Sequence, residues 1–209
     1  MKKARLAVGV TGHRLNQLPP SAVPVVGAAI TYALTLVEAA SRDNADNPAQ
    51  LVVVSAIAEG ADRIAAVAAL KLKWQLETPL PFAVERYEQD FADDASKAEF
   101  KALLKRSRRV AVTMAADQPG AAPYAGVGAM IVAWSDVLVA VWNGLPPKGP
   151  GGTAEVAAKM AAQGGPVIWI PSDTGGPIQL IAPDPDTPMA KALARRLPRI
   201  AQPDAMRVA

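Results

Sequence analysis

The chain has 209 residues, 51% of them hydrophobic, a formal charge of +3, no cysteine and a single histidine. That length and apolar share suit one domain with a buried core and exclude wholesale disorder. Without cysteine there are no disulfides, thiolate zinc sites or cysteine nucleophiles, and a lone His13 excludes a His-cluster metal site.

Short β-branched runs alternate with Ala-rich helical stretches, the pattern of a parallel sheet covered on both faces. The first strand is predicted at residues 6–10. A helix follows from Ser21, with Val26, Ala29, Ile30, Ala33, Leu34 and Val37 at helical spacing. Residues 51–55 read as the second strand and 60–74 as the second helix. A short third strand is predicted at 80–84, and a charged helix at 95–106. Residues 110–114 give the fourth strand and 124–134 the next helix. The apolar run 137–142 reads as a central strand. A helix at 153–163 and a sixth strand at 167–170 complete an α/β, Rossmann-like three-layer domain over residues 1–172, with a mostly parallel sheet. Residues 173–209, rich in Pro, Asp and Gly, are expected as a C-terminal tail with one short helix around 189–197.

Right-handed crossovers bring the strand C-termini to one edge, where such sheets bind ligands. Thr11-Gly12-His13-Arg14 follows the first strand. Gly12 permits close backbone approach, and Arg14 carries a planar fork suited to phosphate. A tight turn with a solvated arginine is the alternative. The segment has the spacing of neither a dinucleotide fingerprint nor a Walker A loop. The second strand ends at Ser55, and Glu59-Gly60-Ala61-Asp62 opens a helix whose free N–H groups favour an anion. Asp62 either stabilises that helix start or meets ribose hydroxyls or an arginine. Arg86 and Tyr87 lie in the loop after the third strand, where Tyr87 and Phe91 are spaced as a packing pair. Trp142 and Asn143 end the fifth strand, with Trp142 placed to stack a base or to fill the core. Gly151-Gly152-Thr153 then opens a helix as a phosphate cradle, Thr153 serving as cap or donor.

Together these segments resemble the SLOG superfamily, relatives of the Lonely Guy phosphoribohydrolases and of lysine-decarboxylase-like proteins. The likeness spans residues 5–170. Leu80-Pro81-Phe82, Asp90-Phe91, Ser135-Asp136 and Gly144 belong to it alongside the motifs above. It implies a sheet that binds nucleotides or nucleotide-derived signals at the strand edge, in sensors as well as enzymes. Two departures stand out. Lonely Guy enzymes carry an Arg on the helix before the fifth strand, whereas no Arg lies between Arg109 and Arg195 here. Their Pro-Gly-Gly-x-Gly-Thr-x-x-Glu loop is shortened to Pro150-Gly151-Gly152-Thr153-Ala154-Glu155. Glu155 thus points about 200° round the helix from Thr153 instead of about 300°.

The expected function is binding or sensing of a phosphate-bearing nucleotide or nucleotide-derived ligand. The expected site is Thr11, Gly12, His13, Arg14, Ser55, Glu59, Gly60, Asp62, Arg86, Trp142, Asn143, Gly151, Gly152 and Thr153. Nucleotide N-glycoside hydrolysis is the alternative, with Glu59, Asp62, Asp136 or Glu155 as its carboxylate. Single-stranded DNA binding ranks third. Lys101, Lys105, Arg106, Arg108 and Arg109 cluster with no interleaved aromatic beyond Phe100, so they read as a solvated face and nucleic acid is not an expected partner. No metal and no cofactor are expected. Apolar runs broken by Gly, Pro or charge predict no membrane segment, and residues 6–10 are too short for a signal peptide's apolar part. The cysteine-free composition fits a reducing cytosol, so a cytoplasmic location is expected. The apolar, Ala-rich helices after the first strand and before the fifth suggest a homo-oligomer.

Overall fold

The structure, a computed structural model, describes residues 4–43, 49–146, 149–173, 176–201, 203 and 206. Its layout follows from which strands are buried on both faces. Strand β5 (Val137–Trp142) is buried at every residue, as a strand with helices above and below must be. Beside it lies β1 (Arg5–Gly12). From β1 the sheet runs outward through β2 (Gln50–Val54), β3 (Gln75–Leu80) and β4 (Ser107–Val112). On the other side it runs from β5 through β6 (Val167–Pro171) to β7 (Gln179–Ile181). The order is β4-β3-β2-β1-β5-β6-β7, parallel throughout except where β7 joins β6. The expected mostly parallel Rossmann-like sheet is the one observed.

Alternation along the strands builds two cores. Val137, Val139 and Val141 of β5 face α1 (Val23–Arg42) and α2 (Ala61–Lys71), while Leu138, Ala140 and Trp142 face α5 (Ala122–Ala133) and α6 (Thr153–Ala162). The short α3 (Val84–Tyr87) and α4 (Asp94–Leu104) follow β3. Strands are added outward from β1 to β4 on one side and from β5 to β7 on the other, so the strand order switches between the parallel neighbours β1 and β5 and a crevice opens there at their C-termini.

Four local expectations change. Strand β3 starts at Gln75 instead of residue 80, because Leu76, Thr78 and Leu80 are fully buried while the intervening Gln75, Glu77 and Pro79 break up the apolar run. Pro79 is tolerated because the β2 ladder ends opposite Glu77. Strand β4 sits earlier than residues 110–114, and Met114 is fully exposed beyond its end. Residues 20–42, contrary to the expectation, reach the length and apolarity of a bilayer crossing. Val26, Ile30, Ala33, Leu34 and Val37 of that stretch form a stripe buried against the sheet.

The fourth change concerns residues 173–209, where the structure adds the edge strand β7 as well as the short helix α7 (Pro188–Ala194). Leu180, Ile181, Ala190, Ala192 and Leu193 are buried, and Asp43 at the end of α1 pairs with Arg195 and Arg196 at 2.8 and 2.7 Å. Three residues are too few to show strand periodicity in sequence. Since Leu180 is fully buried, Leu180→Ala is expected to lower stability by about 2–5 kcal/mol. Urea unfolding measures this, and a surface tail would move by less than about 0.5 kcal/mol.

Candidate functional site

The crevice is built first by backbone. Beyond Gly12, the His13 N–H donates to the Val141 carbonyl at 2.9 Å, and the His13 carbonyl accepts from the Ala61 N–H at 3.2 Å. Both contacts need glycine. A Cβ on Gly12 would lie 2.5 Å from Ala61 Cβ, and one on Gly60, which has φ +97°, 2.5 Å from the His13 carbonyl oxygen. The start of α2 is therefore pinned between the ends of β1 and β5.

A cavity of about 710 Å³ opens over this junction. From the predicted set it is lined by Thr11, Gly12, His13 and Arg14 at the β1 end, and by Asp62 on α2. Trp142 and Asn143 after β5, and Gly151, Gly152 and Thr153 at the start of α6, complete the polar side. Tyr124, Val127, Gly128 and Ile131 of α5 supply an opposing, mostly apolar wall that the sequence reading missed. Their i, i+3, i+4, i+7 spacing on one helix face was its trace in the sequence. Trp142 itself is buried and packs on Trp169 with centroids 4.9 Å apart.

At the α6 end, Gly151 has φ +80°, and a Cβ there would come within 2.8 Å of the Ala125 nitrogen. The Gly151 N–H is taken by Glu155 Oε2 at 2.7 Å, and the Gly152 N–H by the Gly149 carbonyl at 3.3 Å. The first intrahelical bond is Val156 N–H to the Gly152 carbonyl. The donors this helix start holds out are therefore the N–H groups of Thr153, Ala154 and Glu155. Glu155 also pairs with Lys159 at 2.6 Å. Chiefly the Lys159 hydrogen bond holds its carboxyl below the usual range against desolvation by burial, with a lesser contribution from the Gly151 N–H.

Arg14 stands at the opposite side, 3.7 Å from Asp90, whose same carboxylate oxygen accepts from the Tyr124 hydroxyl at 2.6 Å. His13 Nδ1 meets the buried Ser172 hydroxyl at 3.1 Å, just past β6. Asp62 is 7% exposed. Burial pushes its carboxyl up to about 7, opposed by the Ala58 N–H, the Arg14 and Arg63 charges and the Ser55 hydroxyl.

The remaining predicted residues lie elsewhere, for local reasons. Ser55 is fully buried and braces the β2–α2 loop, accepting from the Ile57 N–H at 3.1 Å and donating to the Asp62 carbonyl at 3.2 Å. That loop is strained, since buried Ile57 has φ +50°. Arg63 clamps it with an Nε bond to the Ile57 carbonyl at 3.1 Å. Glu59 accepts from the Ala92 N–H and the Ser96 hydroxyl, holding the approach to α4. Gly60 is a packing residue. Arg86 lies over the Phe82 ring, 4.7 Å from its centroid. Asp136 precedes β5 and so sits at the opposite sheet edge, accepting from the Ala7 N–H at 2.8 Å. Of the four carboxylates considered for catalysis, only Asp62 borders the cavity.

No protein-family model matches the chain, and no curated protein matches its sequence. The fold is similar to DNA processing protein A from Streptococcus pneumoniae, at 14% identity and a TM-score of 0.54 over 96% of this chain and 60% of that one. The chain thus spans about 60% of that structure's length. DNA processing protein A from Helicobacter pylori, described for its single-stranded DNA binding mode, aligns at 18% identity and TM-score 0.46, covering 82% of this chain and 67% of that one. The molybdenum cofactor carrier protein from Chlamydomonas reinhardtii aligns at 15% identity and TM-score 0.45, covering 95% and 91%. At such identities the likeness concerns the fold alone.

The buried acid gives a pH test. Asp62 ionises near 7 when folded, against 3.8 as its ordinary value. Between those values the unfolded chain holds fewer protons, so this group's contribution to stability falls as pH rises from about 4 to about 7. Asp62→Asn removes that loss. Relative to the parent chain, its unfolding free energy is expected to rise between pH 4 and pH 8 in matched urea titrations. A difference that stays constant with pH would mean the carboxyl is not held neutral.

Proposed function

We propose that the cavity between the β1 and β5 ends binds a phosphate-bearing nucleotide or nucleotide-derived ligand, as a SLOG-type binding or sensing domain. The observation that carries this reading is the sharing of one cavity by the Arg14 fork and the first turn of α6. A guanidinium and the positive end of a helix dipole both favour a phosphate. The cavity volume of about 710 Å³ lies within the range of small-molecule sites. Its α5 wall, with Val127 and Ile131, suits a flat base or another apolar group attached to that phosphate. The reading carries with it a cytoplasmic protein that self-associates through α1 or α5.

N-glycoside hydrolysis keeps one supporting observation, the Asp62 carboxyl bordering the cavity with a value near neutrality. Against it, Glu155 is engaged by Gly151 and Lys159, and α5 carries no arginine. Purified protein is therefore expected to release no base from nucleoside monophosphates. Steady base release abolished by Asp62→Asn would replace the binding reading with the hydrolytic one.

Calorimetric titration with paired nucleosides and nucleoside monophosphates tests the phosphate contact. A charge-assisted bond of this kind contributes about 1.5–3 kcal/mol, or roughly ten- to a hundred-fold in affinity. Arg14→Ala is expected to weaken the monophosphates by that factor and to leave the nucleosides nearly unchanged. Equal loss for both would place the phosphate away from Arg14. A short oligothymidylate added as competitor decides whether the same cavity takes nucleic acid.

A further inference from the structure

The sheet has an open edge at β4, which among the described residues pairs with β3 alone. The Thr113 N–H donates to the Leu80 carbonyl across that ladder at 2.9 Å. By the alternation of a strand, Val110 and Val112 turn their N–H and C=O groups the other way, to the free side. Both side chains are substantially exposed, at 44% and 43%. Close by in sequence stand Lys105, Arg106, Arg108 and Arg109, with no acid on the strand.

The inner neighbour illustrates what matches such a strand. Glu77 of β3 lies in register with Arg109 and pairs with it at 3.8 Å. Arg109 is also stacked over Trp134, 3.6 Å from the ring centroid. Among the described residues, none forms an ion pair with Lys105, Arg106 or Arg108. The outer side of β4 thus offers strand hydrogen-bonding groups and two exposed valines, and Arg108 on the strand and Lys105 and Arg106 just before it have no carboxylate partner among the described residues.

We propose that this edge docks an extended acidic segment of a partner protein, added as an eighth strand beside Val110 and Val112 with its carboxylates toward Lys105, Arg106 and Arg108. Main-chain bonds supply the attachment in such strand addition, and the side chains supply selectivity. A second copy of this chain fits poorly. Pairing β4 with its own copy would bring two arginine-rich strands together, and like charges across a ladder repel. A single-stranded nucleic acid would match the charge but needs exposed rings for its bases. Phe100 is fully buried and the Trp134 face is covered by Arg109.

The test titrates the full chain into a fluorescein-labelled eight-residue peptide alternating Glu and Val, followed by anisotropy at two salt concentrations. Saturable binding that weakens with salt is expected. The double variant Arg106→Glu, Arg108→Glu should lower affinity tenfold or more. Val110→Pro should abolish binding with the thermal transition retained, because its N–H faces the free side and no β3 bond depends on it. Should that variant fail to fold, amide exchange at Val110 and Val112 in the parent chain must slow when peptide is added. The proposal is overturned by absent binding or by equal binding of a Lys–Val peptide. It is equally overturned by unaltered affinity in the charge-reversed variant, or by an oligothymidylate that binds this edge more tightly than the acidic peptide.

Discussion

One residue's backbone holds the site together. His13 donates to the last part of β5 and accepts from the first residue of α2, so three elements meet at a single residue. The flanking requirement is steric, since neither Gly12 nor Gly60 can carry a Cβ without driving it into Ala61 or into the His13 carbonyl. Because α2 is fixed there, Asp62 is carried into the cavity wall. Because β1 ends there, Arg14 reaches the rim, where Asp90 and Tyr124 steady it.

Electrostatics then divide the acids by role. Glu155 and Glu59 are tied to N–H groups or hydroxyls and serve to shape loops. Asp136 does the same at the far edge of the sheet. Asp62 alone combines burial with a place on the cavity, and that combination raises its ionisation toward neutral pH. A carboxyl able to hold a proton near Arg14 gives the cavity a hydrogen-bond donor as well as an acceptor.

Sequence reading succeeded where burial is uniform and failed where it is partial. The run 137–142 had to be a central strand, since every residue is apolar, and β1, β2 and β6 follow the same logic. β3 was misplaced because its alternate positions are Gln75, Glu77 and Pro79, which read as a loop. The cavity's polar residues stood out as Gly, Thr, Arg and Asp at strand ends. Its α5 wall did not, because Val127 and Ile131 look like any core residues until the neighbouring helix start is placed opposite them. Asp136 misled because one-dimensional proximity to a strand does not say at which end a residue lies. Ser55 and Glu59 misled differently: small hydroxyls and acids at strand tips brace turns as readily as they meet ligands.

The bond from Gly151 to Glu155 closes the glycine-rich turn on itself, and Gly151 rests against the first turn of α5. A loop of this composition would ordinarily sample many conformations and lose that freedom whenever something bound. Here the Glu155 bond and the packing against α5 hold Gly151 in place without any contact from a ligand. An arriving anion meets donors at fixed positions and brings with it little entropic penalty from the chain. Shape, more than adaptability, then decides what the cavity accepts.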